Sequence, residues 1–130
     1  MDPLEISRVV PILTLAYLGD AAYELKVRTY LARDGAKPEK LHRLAKRFVS
    51  ASAQSKMVEV LLPLLDETET QIYHRGRNAK SHSHPKNVDL SEYHRATGFE
   101  AVWGYLHLAG DEQRLEDLFD AILKTNSAKG

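Results

Sequence analysis

Apolar residues recur at three- and four-residue intervals along most of the chain, and no stretch alternates convincingly as a half-buried strand would, so the pattern predicts an all-α architecture. The strongest run lies between Leu13 and Arg28. At about 100° per residue it places Leu15, Leu18, Ala22 and Leu25 on one stripe, and Leu13, Ala16, Tyr17, Asp20, Glu24, Val27 and Leu31 on another. A helix apolar nearly all round is expected to be buried. Pro11 suits its first position and Asp34-Gly35 its end. Asp20, in the middle of that pattern, then has to be paired, hydrated in a cleft or bound to a cation. Gly19 beside it costs about 1 kcal/mol relative to Ala, which predicts that another backbone approaches closely there.

The remaining elements follow in order. Pro38 opens a helix whose buried face is Leu41, Leu44, Ala45, Phe48 and Val49, with basic residues opposite. A third helix covers Ser52 to Leu62 and stops near Pro63. Asp66 with Glu69 forms an acidic capping box for a short helix that Gly76 can terminate. From Gly76 to Val88 the periodicity is lost, leaving a basic, polar loop of a length that compact domains seldom carry without a function. Asp89 and Glu92 open a helix through Ala96, Phe99, Val102, Trp103, Leu106 and Ala109 to Gly110. Asp111 caps the last helix, with Leu115, Leu118, Phe119, Ile122 and Leu123 buried and Thr125 to Gly130 expected to fray. The result is a single helical domain spanning 1–130, with about six to seven helices.

Composition narrows the chemistry. There is no cysteine, so disulfides, thiolate metal sites and a cysteine nucleophile are excluded. No apolar run reaches the roughly 18 residues of a membrane span, and Met1-Asp2-Pro3-Leu4-Glu5 lacks an export pattern, so a cytoplasmic protein is expected. The formal charge is zero, yet the signs are segregated. Lys37, Lys40, Arg43, Lys46 and Arg47 face a single Glu, and His74 to Lys86 carries Arg75, Arg77, Lys80 and Lys86 with no acid at all. Such surfaces can bind phosphates whatever the total charge.

Glu100 repeats the oddity of Asp20. It lies in an apolar helix on a stripe with Tyr93, Ala96, Thr97, Gly104 and His107. If the two acids meet at a close helix crossing, their like charges raise one pKa or require a cation between them. With oxygen ligands only, that cation is Mg²⁺ or Mn²⁺. Glu24, one turn after Asp20, either supports the site as an acceptor or pairs with Arg28. Each acid can also be a core carboxylate paired with Arg or Lys. The basic loop favours the first alternative, because a metal-ready acidic pair beside Arg, Lys, Asn and Ser donors is what a phosphodiester enzyme needs. His74, His82 and His84 lack a spacing that fixes three metal ligands, and Trp103 reads as core.

These residues also resemble a family. Leu18-Gly19-Asp20-Ala21, preceded by Leu15 and Tyr17, is similar to the ribonuclease III signature helix, and Phe99-Glu100-Ala101 with Gly104 and Leu106 to its second acidic helix. Ala16 to Ala21 with Tyr23-Glu24, the string Arg75-Gly76-Arg77-Asn78-Ala79-Lys80-Ser81, and Thr97 to Glu100 resemble the Mini-III ribonuclease group more closely. Ordinary ribonuclease III has glutamates at Leu13 and Ala16, an aspartate at Thr97 and an added double-stranded-RNA-binding domain, so only Asp20 and Glu100 carry over as the catalytic, metal-holding pair. The resemblance implies the ribonuclease III endonuclease fold and a Mg²⁺-dependent homodimeric enzyme, with Mn²⁺ a possible substitute, that cuts double-stranded RNA in large-subunit (23S) ribosomal RNA precursor. Arg75, Arg77, Asn78, Lys80, Ser81 and Lys86 are the expected RNA contacts, and Glu24 and Thr97 candidates to support the acids. A non-catalytic RNA-binding or assembly module of the same fold is the alternative.

Overall fold

Prolines and polar caps cut the chain into seven α-helices among the described residues, 1–80 and 86–128 of this computed structural model. They are α1 (Pro3–Val9), α2 (Ile12–Ala32), α3 (Pro38–Val49), α4 (Ala51–Leu61), α5 (Glu67–Asn78), α6 (Leu90–Ala109) and α7 (Glu112–Ala128), with a 3₁₀ turn Leu62–Leu64 at Pro63. The fold is all-α, with no strand among the described residues. No described helix is long and apolar enough to cross a membrane.

Local chemistry accounts for most boundaries. Ser50 accepts from the Ala53 amide at 3.1 Å to start α4. Asp66 and Glu69 form the expected reciprocal box, at 2.8 and 2.9 Å. Asp89 caps α6 through the Glu92 amide at 3.0 Å, and Gly110 closes it in the left-handed region at φ 71°. Asp111 accepts from the Arg114 amide at 3.1 Å to open α7.

Three boundaries differ from expectation. Helix α1 escaped the periodicity because seven residues span under two turns and bury only Ile6. Its signal was the Asp2-Pro3 pair, in which Asp2 accepts from the Leu4 amide and Pro3 starts the helix. Gly76 does not end α5, which continues through Asn78. A Cβ at Gly76 would lie 2.9 Å from the Gly98 Cα, so this glycine serves contact between α5 and α6. The expected frayed tail is also corrected, since α7 runs on to Ala128.

Helix α6 is the axis of the fold and touches α1, α2, α4, α5 and α7. Its closest partner is α2. Tyr23 of α2 packs edge-on against Phe99 and Trp103 of α6, with centroids 4.8 and 5.1 Å apart, and its hydroxyl donates to the Phe48 carbonyl at 3.0 Å. Trp103 is core, as expected. Helix α2 itself is not buried all round. Leu15, Gly19, Tyr23 and Val27 face inward, whereas Leu13, Tyr17 and Leu25 are exposed, Tyr17 by 83%. Its inward face packs on α6, α3 and α5.

One buried charge holds the periphery. Glu69 is 2% exposed and receives both Arg114 Nε (2.9 Å) and Nη2 (2.7 Å) while still serving the α5 cap. Removing one partner of such a pair strands the other with its desolvation unrepaid. Glu69→Ala is therefore expected to lower the unfolding free energy by about 3 kcal/mol or more in urea titrations. A loss under about 1 kcal/mol would show the pair to be dispensable.

Candidate active site

The glycines at the α2–α6 crossing bring the two acids together. A Cβ on Gly19 would stand 1.7 Å from the Glu100 carbonyl oxygen, and one on Gly104 would stand 1.9 Å from the Leu15 carbonyl oxygen. No side chain fits at either position, so the backbones touch. Asp20 follows Gly19 and Glu100 precedes Gly104 by one turn. Their carboxyls consequently meet in one cleft.

The meeting point is a cleft of about 440 Å³ lined by both acids, by Leu13, Ala16 and Tyr17 of α2, by Val49, Ala51 and Gln54, and by Val88, Tyr93, Ala96 and Thr97. Asp20 is exposed on its rim, not buried as the helix pattern implied, because the side of α2 that carries it is open. Glu100 is half-buried in the wall. Burial pushes the Glu100 carboxyl up to about 8, helped by the Asp20 charge and the hydrogen bond to Asp20, with an opposing contribution from the Gln54 hydrogen bond. At neutral pH this acid keeps its proton, which a cation would displace.

The donor set fits a hard divalent ion. It offers carboxylate oxygens in a cleft open to water, and no group of three His, Cys, Asp or Glu side chains suited to a metal occurs among the described residues. An ion that binds through one or two carboxylates and keeps water for the rest of its shell matches Mg²⁺.

The other expected residues divide. Thr97 lines the cleft, and its hydroxyl donates back to the Tyr93 carbonyl at 3.0 Å. Glu24 pairs with Arg28 at 3.1 Å and is not part of the cleft lining, which is the second of its two expected roles. His107 is exposed and lies outside the cleft, although it shares a stripe with Glu100. Arg75 lies on α5 as expected, and Arg77 and Asn78 lie on it too and not in the loop expected from Gly76. Arg75 donates to the Ser7 carbonyl at 3.2 Å and Arg77 hydrogen-bonds Tyr73, so the two cations leave opposite flanks of the helix on either side of Gly76. Lys80 and Lys86 are exposed, and Val88 brings the chain back to the cleft wall. Ser81, His82 and His84 lie outside the described residues.

Gln54 was not anticipated. It is 1% exposed, and its Nε2 donates to the Val49 carbonyl at 3.1 Å and to Glu100 Oε2 at 3.4 Å. Its signal was a polar residue on the apolar stripe of α4 that continues through Val58 and Leu61.

Comparison with known proteins adds an independent line. The Ribonuclease III domain family matches residues 13–111. A Mini-ribonuclease 3 of Enterococcus faecalis is 49% identical over 115 residues, which are 86% of this chain and 87% of that relative. A Mini-ribonuclease 3 of Symbiobacterium thermophilum is 50% identical over 113 residues, again 86% and 87% of the two chains. The crystal structure of a Fusobacterium nucleatum protein, 30% identical, superposes with a TM-score of 0.83 over 93% of this chain and 98% of that one.

Proposed function

The chain belongs to the ribonuclease III family of endoribonucleases, and within it to the Mini-ribonuclease 3 group, and we propose that it cleaves double-stranded RNA with Mg²⁺ held by Asp20 and Glu100. The observation that carries this reading is that two carboxyls from different helices line one solvent-open cleft. Mg²⁺, or Mn²⁺ in its place, would neutralise the phosphodiester charge and lower the pKa of the attacking water. Asp20 on the rim and Glu100 in the wall would hold the ion, the Glu100 carboxyl giving up its proton to it, on two helices whose backbones touch. Water adds to phosphorus in line, the bond to the 3′-oxygen breaks, and the products carry a 5′-phosphate and a 3′-hydroxyl.

Docking needs only backbone contacts. Duplex RNA presents phosphates and 2′-hydroxyls across a wide minor groove, which basic and amide side chains read without base recognition. Arg77, Asn78, Lys80 and Lys86 are proposed for these contacts, with Ser81 and the free guanidinium nitrogens of Arg75. The exposed apolar strip Leu13, Tyr17, Ala21 and Leu25 runs along the same helix as Asp20, and it supports the pairing of two copies into a homodimer. Precursor of the large-subunit ribosomal RNA, in the cytoplasm, is the proposed substrate setting.

The test is cleavage of end-labelled duplex and single-stranded RNA in Mg²⁺ and in EDTA. Cutting of the duplex in Mg²⁺ alone is expected. Equal cutting in EDTA overturns the metal, preference for the single strand overturns the substrate, and binding without cleavage in Mg²⁺ leaves an RNA-binding module.

A further inference from the structure

We propose that Gln54 is a positioning residue that fixes the Glu100 carboxyl for cation binding, an inference that rests on the metal site assigned to Asp20 and Glu100. Three facts carry it. Gln54 is one of three buried polar residues in the described chain, and it reaches the cleft from α4, which supplies neither acid. Its Nε2 bridges two acceptors, the Val49 carbonyl at the end of α3 and Glu100 Oε2. A flipped amide would set an oxygen against the Val49 carbonyl, which can only accept, so the orientation is determined. Its Oε1 is buried with no hydrogen-bond partner. A buried acceptor left open costs stability, and such groups cluster where function requires them. Here the open oxygen belongs to an amide whose nitrogen faces the acid cleft.

Ser55, the next residue, shows the contrast. It is equally buried, but its hydroxyl accepts from Arg95 at 3.3 Å, away from the acids. Gln54 thus adds a third helix to a site built by two. The 3.4 Å spacing to Glu100 is long for a hydrogen bond, as expected of a contact that tightens only when the carboxylate takes up a cation. Supporting partners of this kind typically change metal affinity by 10- to 100-fold when removed.

The experiment titrates Mn²⁺ into the protein without RNA, by calorimetry and by loss of the free-ion electron paramagnetic resonance signal, for the wild type, Gln54→Met, Gln54→Leu and Asp20→Asn. Methionine keeps the length and packing of glutamine, so a purely structural role predicts unchanged binding. The expected result is a Kd raised about tenfold in Gln54→Met. Wild-type affinity in folded Gln54→Met or Gln54→Leu overturns the proposal. Failure of both variants to fold also overturns it, by placing Gln54 in the architecture of the core. Failure of the underlying metal site has a different signature, in which the wild type binds no Mn²⁺ or Asp20→Asn binds it as the wild type does.

Discussion

Asp20→Asn is expected to reduce Mg²⁺-dependent RNA cleavage by about a thousandfold or more, and Glu100→Gln to do the same, with the helical fold intact in both. The magnitude follows from the several kcal/mol that a bound cation supplies to a phosphoryl transition state, each 1.4 kcal/mol of which is about tenfold in rate. Neither change should unfold the chain. Asp20 is exposed, and glutamine reproduces the shape of the protonated Glu100 that the metal-free protein holds at neutral pH. The stability of Glu100→Gln provides a separate check. In the folded chain the Glu100 carboxyl is raised from 4.5 to about 8, so the folded state binds this proton more tightly than the unfolded state. Its contribution is full below about pH 4.5 and drains away as the pH rises to about 8. Thermal melts in EDTA should show that decline in the wild type and not in Glu100→Gln. Retained cleavage in either variant would remove the acid from the catalytic pair. A parallel pH profile would mean that Glu100 is not held protonated by its surroundings.

The second large effect is structural. Gly104→Ala and Gly19→Ala should each destabilise the fold by about 4 kcal/mol or more, to the point of poor soluble expression. Helix propensity argues the other way, since Ala is better than Gly by about 1 kcal/mol in a helix interior. Sterics decide the sign. The added Cβ would lie 1.9 Å from the Leu15 carbonyl oxygen in one case and 1.7 Å from the Glu100 carbonyl oxygen in the other, and these are backbone atoms with no rotamer to change. Relief requires α2 and α6 to part, and that opens the packing of Tyr23 against Phe99 and Trp103. Any folded remainder should also be inactive, because parting α2 from α6 separates the helices that carry the two acids. Chemical denaturation checks the first effect, and a midpoint equal to or above the wild type would contradict the crossing geometry.

Most of this crossing could be read from the chain. Gly19 beside Asp20 predicted a close backbone, and Gly104 on the Glu100 stripe gave the partner surface. Caps of α5, α6 and α7 were equally legible, because an acidic side chain at a cap acts within its own turn. What escaped depends on tertiary partners. The apolar periphery of α2 predicts burial, but whether anything covers Tyr17 depends on neighbours that periodicity does not encode. Gly76 carries the local signature of a helix stop, yet in three dimensions it meets Gly98 of α6, and the helix continues through Asn78. Gln54 has a neutral side chain and no motif, so only its place on a buried stripe marks it. Glu69 is the opposite case: its cap was visible, whereas its bond to Arg114, 45 residues away, was not.

The contact of α2 and α6 has one more consequence, for how the molecule loses activity. In many enzymes the active site melts before the body, because its residues sit on loops that open locally at little cost. Here the two acids ride on the helices whose contact is the centre of the core, one residue and one turn from the glycines that join them. No partial opening separates the carboxyls while sparing the core. On heating, catalytic competence and global structure should therefore vanish in one transition, and the pair of acids has no thermal behaviour of its own.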